Sequence, residues 1–268
     1  MTKRLVVLTA ICLGLFGGAA GAGHARASDS QATQAAAAPA GAAVPTADAI
    51  LARYVDVTGG AAAHDAIRNR VVHARLEIAG AGIVINVTVY AARPDSIYTL
   101  IESEPTGRIE SGVSDGVVWE NSQLRGAIVK DGAERDDALR DAVFERMVHW
   151  KDTSTSAECT GVVDVAGKPA YRLVLTPKTG SAQTFYFDKD SSLLVRTETM
   201  TNSAAGQINV VAEPGDYRAV DGILMPFVSR VAALGQQRTL TIEKIEHNVD
   251  LPADRFALPA EVKAIAKK

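Results

Sequence analysis

A chain of 268 residues with 31 acidic side chains against 28 basic ones carries a formal charge of −3. That balance excludes the positive surface that phosphate backbones require, so nucleic acid is not an expected partner. With 47% hydrophobic residues the chain can bury a core, and with two cysteines it cannot build a disulfide framework.

The N-terminus reads MTKRLVVLTAICLGLFGGAAGAGHARA. Lys3 and Arg4 precede an apolar stretch, Leu5 to Ala20, and Ala25-Arg26-Ala27 is an A-x-A cleavage pattern. This predicts a secretory signal peptide over 1–27 and a periplasmic location. An uncleaved anchor is the competing reading, but the apolar run is short and broken by Gly14, Gly17 and Gly18. Ile11 before Cys12 argues against lipidation there. Cleavage removes Lys3, Arg4 and Arg26, leaving 25 basic against 31 acidic residues, or −6. Cys159 then stays as a lone thiol, read as a small hydrophobe because no base or orienting partner is evident for a nucleophile.

Residues 28–45, SDSQATQAAAAPAGAAVP, read as a flexible tether, and 46–268 as one folded domain. Thr46 can cap a helix in which Ile50, Leu51, Tyr54 and Val55 share a face, and Gly59-Gly60 ends it. AAAHDAIRN makes a second helical turn. The period then drops to two. Val72, Ala74, Leu76 and Ile78 alternate with His73, Arg75 and Glu77, and Ile83, Ile85, Val87 and Val89 continue the pattern after a Gly-rich turn. DSIYTLIES, TGRIESGVS and VVWENS extend the run of strands, with Asp115-Gly116 as a tight turn.

DDALRDAVFERMVHW, residues 136–150, interrupts the strands with helical spacing of Leu139, Ala142, Val143, Met147 and Trp150. Seven strand-like runs follow between Glu158 and Val249, joined by short turns, which predicts an antiparallel meander. Asp221-Gly222 suits a type I′ turn, so Pro226 just beyond it marks a bent or locally unpaired strand. Leu251, Phe256 and Leu258 are expected to clamp the C-terminus onto the sheet. The expected class is α+β: a curved antiparallel sheet, an incomplete barrel, capped by a few helices over an apolar trough.

An ordered series of short motifs supports this. It comprises Asp115-Gly116 with Trp119, Gly167-Lys168-Pro169-Ala170-Tyr171, Phe185-Tyr186-Phe187-Asp188 with Leu193-Leu194-Val195-Arg196, Asp216 to Pro226, and Asn248-Val249-Asp250-Leu251. Over residues 46–260 this order resembles the LolA/LolB-like superfamily of periplasmic outer-membrane lipoprotein carriers. The resemblance implies a helix-capped half-barrel that carries a lipid, acyl chain or lipoprotein, with transient membrane contact and no enzymatic step. It does not place the gate arginine, for which Arg68, Arg70 and Arg75 lie in the right region.

The candidate ligand contacts are Trp119, Leu139, Val143, Phe144, Met147, Trp150, Phe185 and Phe187. Core packing is the competing role for each. His64, His73, His149 and His247 lack ligand spacing, so no metal and no cofactor is expected. No nucleophile elbow or phosphate loop is present, and a monomer is expected. The alternative function is a periplasmic interaction module that recruits a partner through a sheet edge.

Overall fold

The computed structural model describes residues 44–104, 107–203 and 206–266. The expected signal peptide and nearly all of the expected tether lie outside the described residues.

Two helices open the fold, α1 (Ala47–Val57) and α2 (Ala61–Ala66). The Thr46 hydroxyl accepts from the Ala49 N–H at 3.2 Å, as the capping pattern predicts. Six strands follow: β1 (Asn69–Ile78), β2 (Ile83–Ala92), β3 (Ser96–Ser103), β4 (Gly107–Ser114), β5 (Val117–Ser122) and β6 (Gly126–Val129). Then come α3 (Gly132–Ala142) and α4 (Trp150–Thr153). Seven more strands complete the sheet: β7 (Ser154–Val165), β8 (Lys168–Pro177), β9 (Gln183–Asp188), β10 (Leu194–Ser203), β11 (Gly206–Val220), β12 (Ile223–Ala233) and β13 (Gln236–His247). A last helix, α5 (Ala260–Ala266), follows.

All described strands form one sheet, ordered β6-β5-β4-β3-β2-β1-β13-β12-β11-β10-β9-β8-β7, and every adjacent pair is antiparallel. It does not close, because β6 and β7 remain as edges. They are consecutive in the chain yet lie at opposite edges, so residues 130–153 must cross the open side. This strap covers the inner face.

The alternation seen in the sequence holds in space. Val72, Leu76, Val87 and Val89 share the inner face, and Ile85, Ile101, Leu240 and Ile242 join them in the main core. A second core forms where Ile50 and Leu51 of α1 pack on Leu173, Phe185, Phe187 and Leu194. The outer face has its own cover. Tyr90, Tyr98, Gly112, Trp119 and Val129 are successive cross-strand partners, and Tyr98 and Trp119 pack against Val262 of α5. Gly112 makes room for the indole, since a Cβ there would stand 3.1 Å from Trp119. Phe256 and Leu258 pack on the same cluster, as expected of the terminal clamp.

Pro226 pairs with Tyr217 of β11 but lies before the first β12–β13 pair, Val228 with Thr241. Its missing N–H therefore falls where β12 has separated from β13, the local unpairing that the sequence implied.

One expected element changes. The helix predicted over 136–150 begins at Gly132 and stops at Ala142. Val143 turns extended, with φ −62° and ψ 117°, and Glu145 takes a left-handed φ of 53°. The Phe144 N–H donates to Pro94 O at 2.9 Å instead of to the preceding helical turn. Distant partners have displaced the local helical preference.

Candidate ligand-binding cavity

A cavity of about 250 Å³ lies between the inner face of the sheet and the strap. Its walls draw on β1, β2 and β9 to β13, seven adjacent strands. At roughly 4.8 Å per strand a flat sheet would spread them over about 29 Å. Sharing one small cavity, they must curl around it.

The floor is largely apolar, with Val72, Val89, Val210, Ala212, Leu240 and Ile242 exposed to the space. The Thr197, Thr199 and Thr201 side chains of β10, with Gln183 of β9, form a polar flank. The roof is the strap, residues 141–148, with Tyr54 of α1. Four expected contacts, Val143, Phe144, Met147 and Phe185, line this cavity.

The other four expected contacts lie off its wall, for separate reasons. Trp119 is on the outer face beneath α5. Leu139 packs from α3 onto Val113 and Val118. Trp150 and Phe187 belong to the core under α1, where the Phe187 ring meets Tyr54 at 5.3 Å between centroids.

Both ends of the roof are anchored. The Asp137 carboxylate of α3 accepts from the backbone N–H groups of Ser181 at 2.7 Å and Asn202 at 2.9 Å, and from Arg140 at 3.0 Å. Burial pushes its pKa up, but these donors outweigh burial and hold it below the usual carboxylate range. Arg140 also grips Asp141 through two bonds of 2.8 and 2.7 Å. At the other end, Glu145 accepts from His64 Nδ1 at 2.8 Å and from Arg70. Burial again opposes ionisation, yet His64 and Arg70 prevail and hold the Glu145 pKa at about 2. The Arg70 and Arg93 guanidinium groups each stand 5.3 Å from the centroid of the Phe144 ring.

Arg70, one of the three arginines in the gate region, faces this space, as do residues that the sequence did not nominate: Tyr54, Arg146, Ala212, Tyr217 and Ser229. Burial pushes the Tyr54 hydroxyl up to about 12 and the Tyr217 hydroxyl higher, so both stay neutral. Cys159 lies half-buried on β7, and burial pushes its thiol up. Among the described residues no group of His, Cys, Asp and Glu side chains could hold a metal ion.

No family model matches the sequence, and no curated protein matches it. Solved structures do match the backbone. A LolA superfamily protein from Nitrosomonas europaea superposes with a TM-score of 0.56 at 13% identity, over 80% of this chain and 99% of that one. This chain shares the fold of that LolA superfamily protein. A DUF1329 family protein from Desulfovibrio piger shares it, with a TM-score of 0.55 and 16% identity over 78% of this chain and 96% of its own. So does a candidate outer membrane lipoprotein-sorting protein domain from Vibrio parahaemolyticus, with a TM-score of 0.52 and 10% identity over 81% of this chain and all of its own. At such identities the likeness is one of backbone fold.

Proposed function

We propose that this chain is an exported carrier that holds an acyl-bearing ligand, a lipid or a lipoprotein, in the cavity beneath the strap. The observation that carries this reading is the cavity itself: an apolar space between the inner sheet and the strap, in a fold shared with a candidate lipoprotein-sorting domain. The role is binding, not catalysis.

Burial of an acyl chain supplies the driving force, about 0.8 kcal/mol per CH₂. Ten methylenes therefore give roughly 8 kcal/mol before the losses of association. Val143, Phe144, Met147 and Phe185 are the proposed chain contacts. The volume of about 250 Å³ is slightly under the roughly 300–1,000 Å³ typical of drug-sized pockets. A cavity of this size fits a single chain, and a multi-chain lipoprotein anchor requires the strap to lift.

Export rests on the signal-like segment 1–27, with 28–45 as the tether and the folded domain beginning at 46. No helix among the described residues is long and apolar enough to cross a membrane. Delivery would then involve passing contact with a bilayer by a monomeric carrier. The sheet edges do not favour the interaction-module alternative. The four-residue β6 is flanked by α5, and β7 is broken by two bulges, which blunt an edge against strand addition.

The test is titration of the delipidated mature chain with a fluorescent anthroyloxy fatty acid. Saturable one-to-one enhancement, reversed by unlabelled fatty acid, is the expected result. A linear, non-saturating signal would overturn the proposal.

A further inference from the structure

Arginines on the strap and near its anchors have acidic neighbours. Arg140 bonds Asp137 and Asp141, Arg70 bonds Glu145, and Arg146 lies 3.8 Å from Asp141. Arg238 on β13 differs. It is 2% exposed, and among the described residues it forms no ion pair. Its side chain donates to Gln236 Oε1 at 3.0 Å, while its Nε is buried with no hydrogen-bond partner.

The register fixes which way Arg238 faces. Val231 of β12 is its direct partner, and Ala212 and Thr197 continue the same row across β11 and β10. Directly paired residues share a face, as do residues two apart on one strand. Thr197, Ala212, Val231, Leu240 and Ile242 all line the cavity. Arg238 therefore belongs to the cavity side of the sheet, in phase with Leu240 and Ile242, with its side chain buried beside the cavity and outside its lining.

Ser229 is the second orphan. It sits two residues from Val231 on the same face, opposite Leu240, and so lies diagonal to Arg238. Diagonal neighbours stand about 7–8 Å apart at their backbones, within reach of an arginine side chain. Ser229 lines the cavity, is 2% exposed, and its Oγ has no hydrogen-bond partner. A buried cation without a counter-charge and a buried hydroxyl without a partner are each unfavourable. With the hydroxyl on the cavity wall and the cation buried beside it, they suit a ligand that brings the missing acceptor. Burial alone depresses the Arg238 pKa, with no acid offsetting it.

We propose that Arg238 and Ser229 form a head-group subsite that takes the oxyanion, carboxylate or phosphate, of a single-chain amphiphile. This rests on the carrier reading and deepens it. The oxyanion accepts from the guanidinium and from the Ser229 hydroxyl, and the chain runs along Leu240 and Ile242 toward the strap. The ligand then supplies the counter-charge that Arg238 lacks, so the protein selects anionic amphiphiles over neutral ones.

The test uses the delipidated mature chain and three probes of equal chain length: dodecanoate, dodecyl phosphate and dodecanol, by calorimetry at neutral pH. At least one anionic probe should bind ten-fold or more tightly than dodecanol. A preference for dodecanoate points to free fatty acids, and one for dodecyl phosphate to phosphate-headed lipids. Arg238→Met should abolish the preference while leaving dodecanol binding within about two-fold. The variant should also melt no lower than wild type, because a hydrophobe of similar length replaces an unpaired buried charge. Ser229→Ala should reduce the preference several-fold and serves if the methionine variant does not fold. Equal affinities for all three probes in the wild type, or a preference that survives both substitutions, would overturn the subsite alone. Failure of every probe to bind would overturn the carrier reading with it.

Discussion

The clasp on the strap gives the most quantitative prediction. Glu145 has a 9% exposed side chain held by His64 and Arg70, and it sits at a φ that a non-glycine residue rarely adopts. Glu145→Gln keeps the shape and removes the charge. A fall in pKa from 4.5 to about 2 corresponds to roughly 3 kcal/mol of stabilisation. Breaking a buried ion pair from one side costs about 3–5 kcal/mol, which agrees. At neutral pH the variant should therefore lose about 3 kcal/mol in urea unfolding and melt about 6–12 °C lower. The pH dependence follows from a depressed carboxylate pKa. The stabilisation is complete above about 4.5 and disappears as pH falls toward about 2. The gap between wild type and variant should thus be full at pH 7, narrow below about pH 4.5, and nearly vanish near pH 2. Hydrogen exchange should show the Phe144 amide, bonded to Pro94 O, losing protection in the variant. A gap under about 0.5 kcal/mol at pH 7, or one that does not change with pH, would refute the clasp.

Other substitutions separate the cavity from the scaffold. Ala212→Trp places a large ring on the cavity wall between Thr197 and Val231. It should abolish acyl-probe binding with the circular-dichroism spectrum intact; wild-type affinity would show that the ligand lies elsewhere. Trp119→Phe acts on the outer face, so it should lower stability by about 1–3 kcal/mol and leave acyl affinity within two-fold. Gly59→Ala should destabilise by at least about 1–3 kcal/mol in chemical unfolding. Gly59 has φ 131°, and a Cβ would stand 2.6 Å from Gly222 O where the end of α1 meets the β11–β12 turn.

The sheet was readable because its two faces differ in chemistry. Val72, Ala74, Leu76 and Ile78 alternate with His73, Arg75 and Glu77, so period two and the apolar set were both visible. Alternation does not say which face is covered, however. Trp119 seemed a cavity residue because nothing in the short segment 260–266 announced that a helix would bury the outer face. The strap failed for a different reason. Val143 and Met147 fit a helical period, but Glu145 answers to His64 and Arg70, which lie 81 and 75 residues away. No local pattern encodes such a partner. Arg238 did leave a signal: in QRTLTIEK an arginine stands in phase with Leu240 and Ile242, a charged residue in an apolar register. Nothing in the sequence alone showed that an acid would be missing.

The most direct measurement is native mass spectrometry of the full chain, expressed with its own signal segment and purified without detergent, followed by solvent extraction of the same sample. The proposed carrier should appear with a stoichiometric adduct that extraction recovers as an acyl-bearing species, and Ala212→Trp should appear without it. A bare mass, with no acyl species recovered and no rise in melting temperature on adding fatty acids or lipopeptides, would contradict the carrier function.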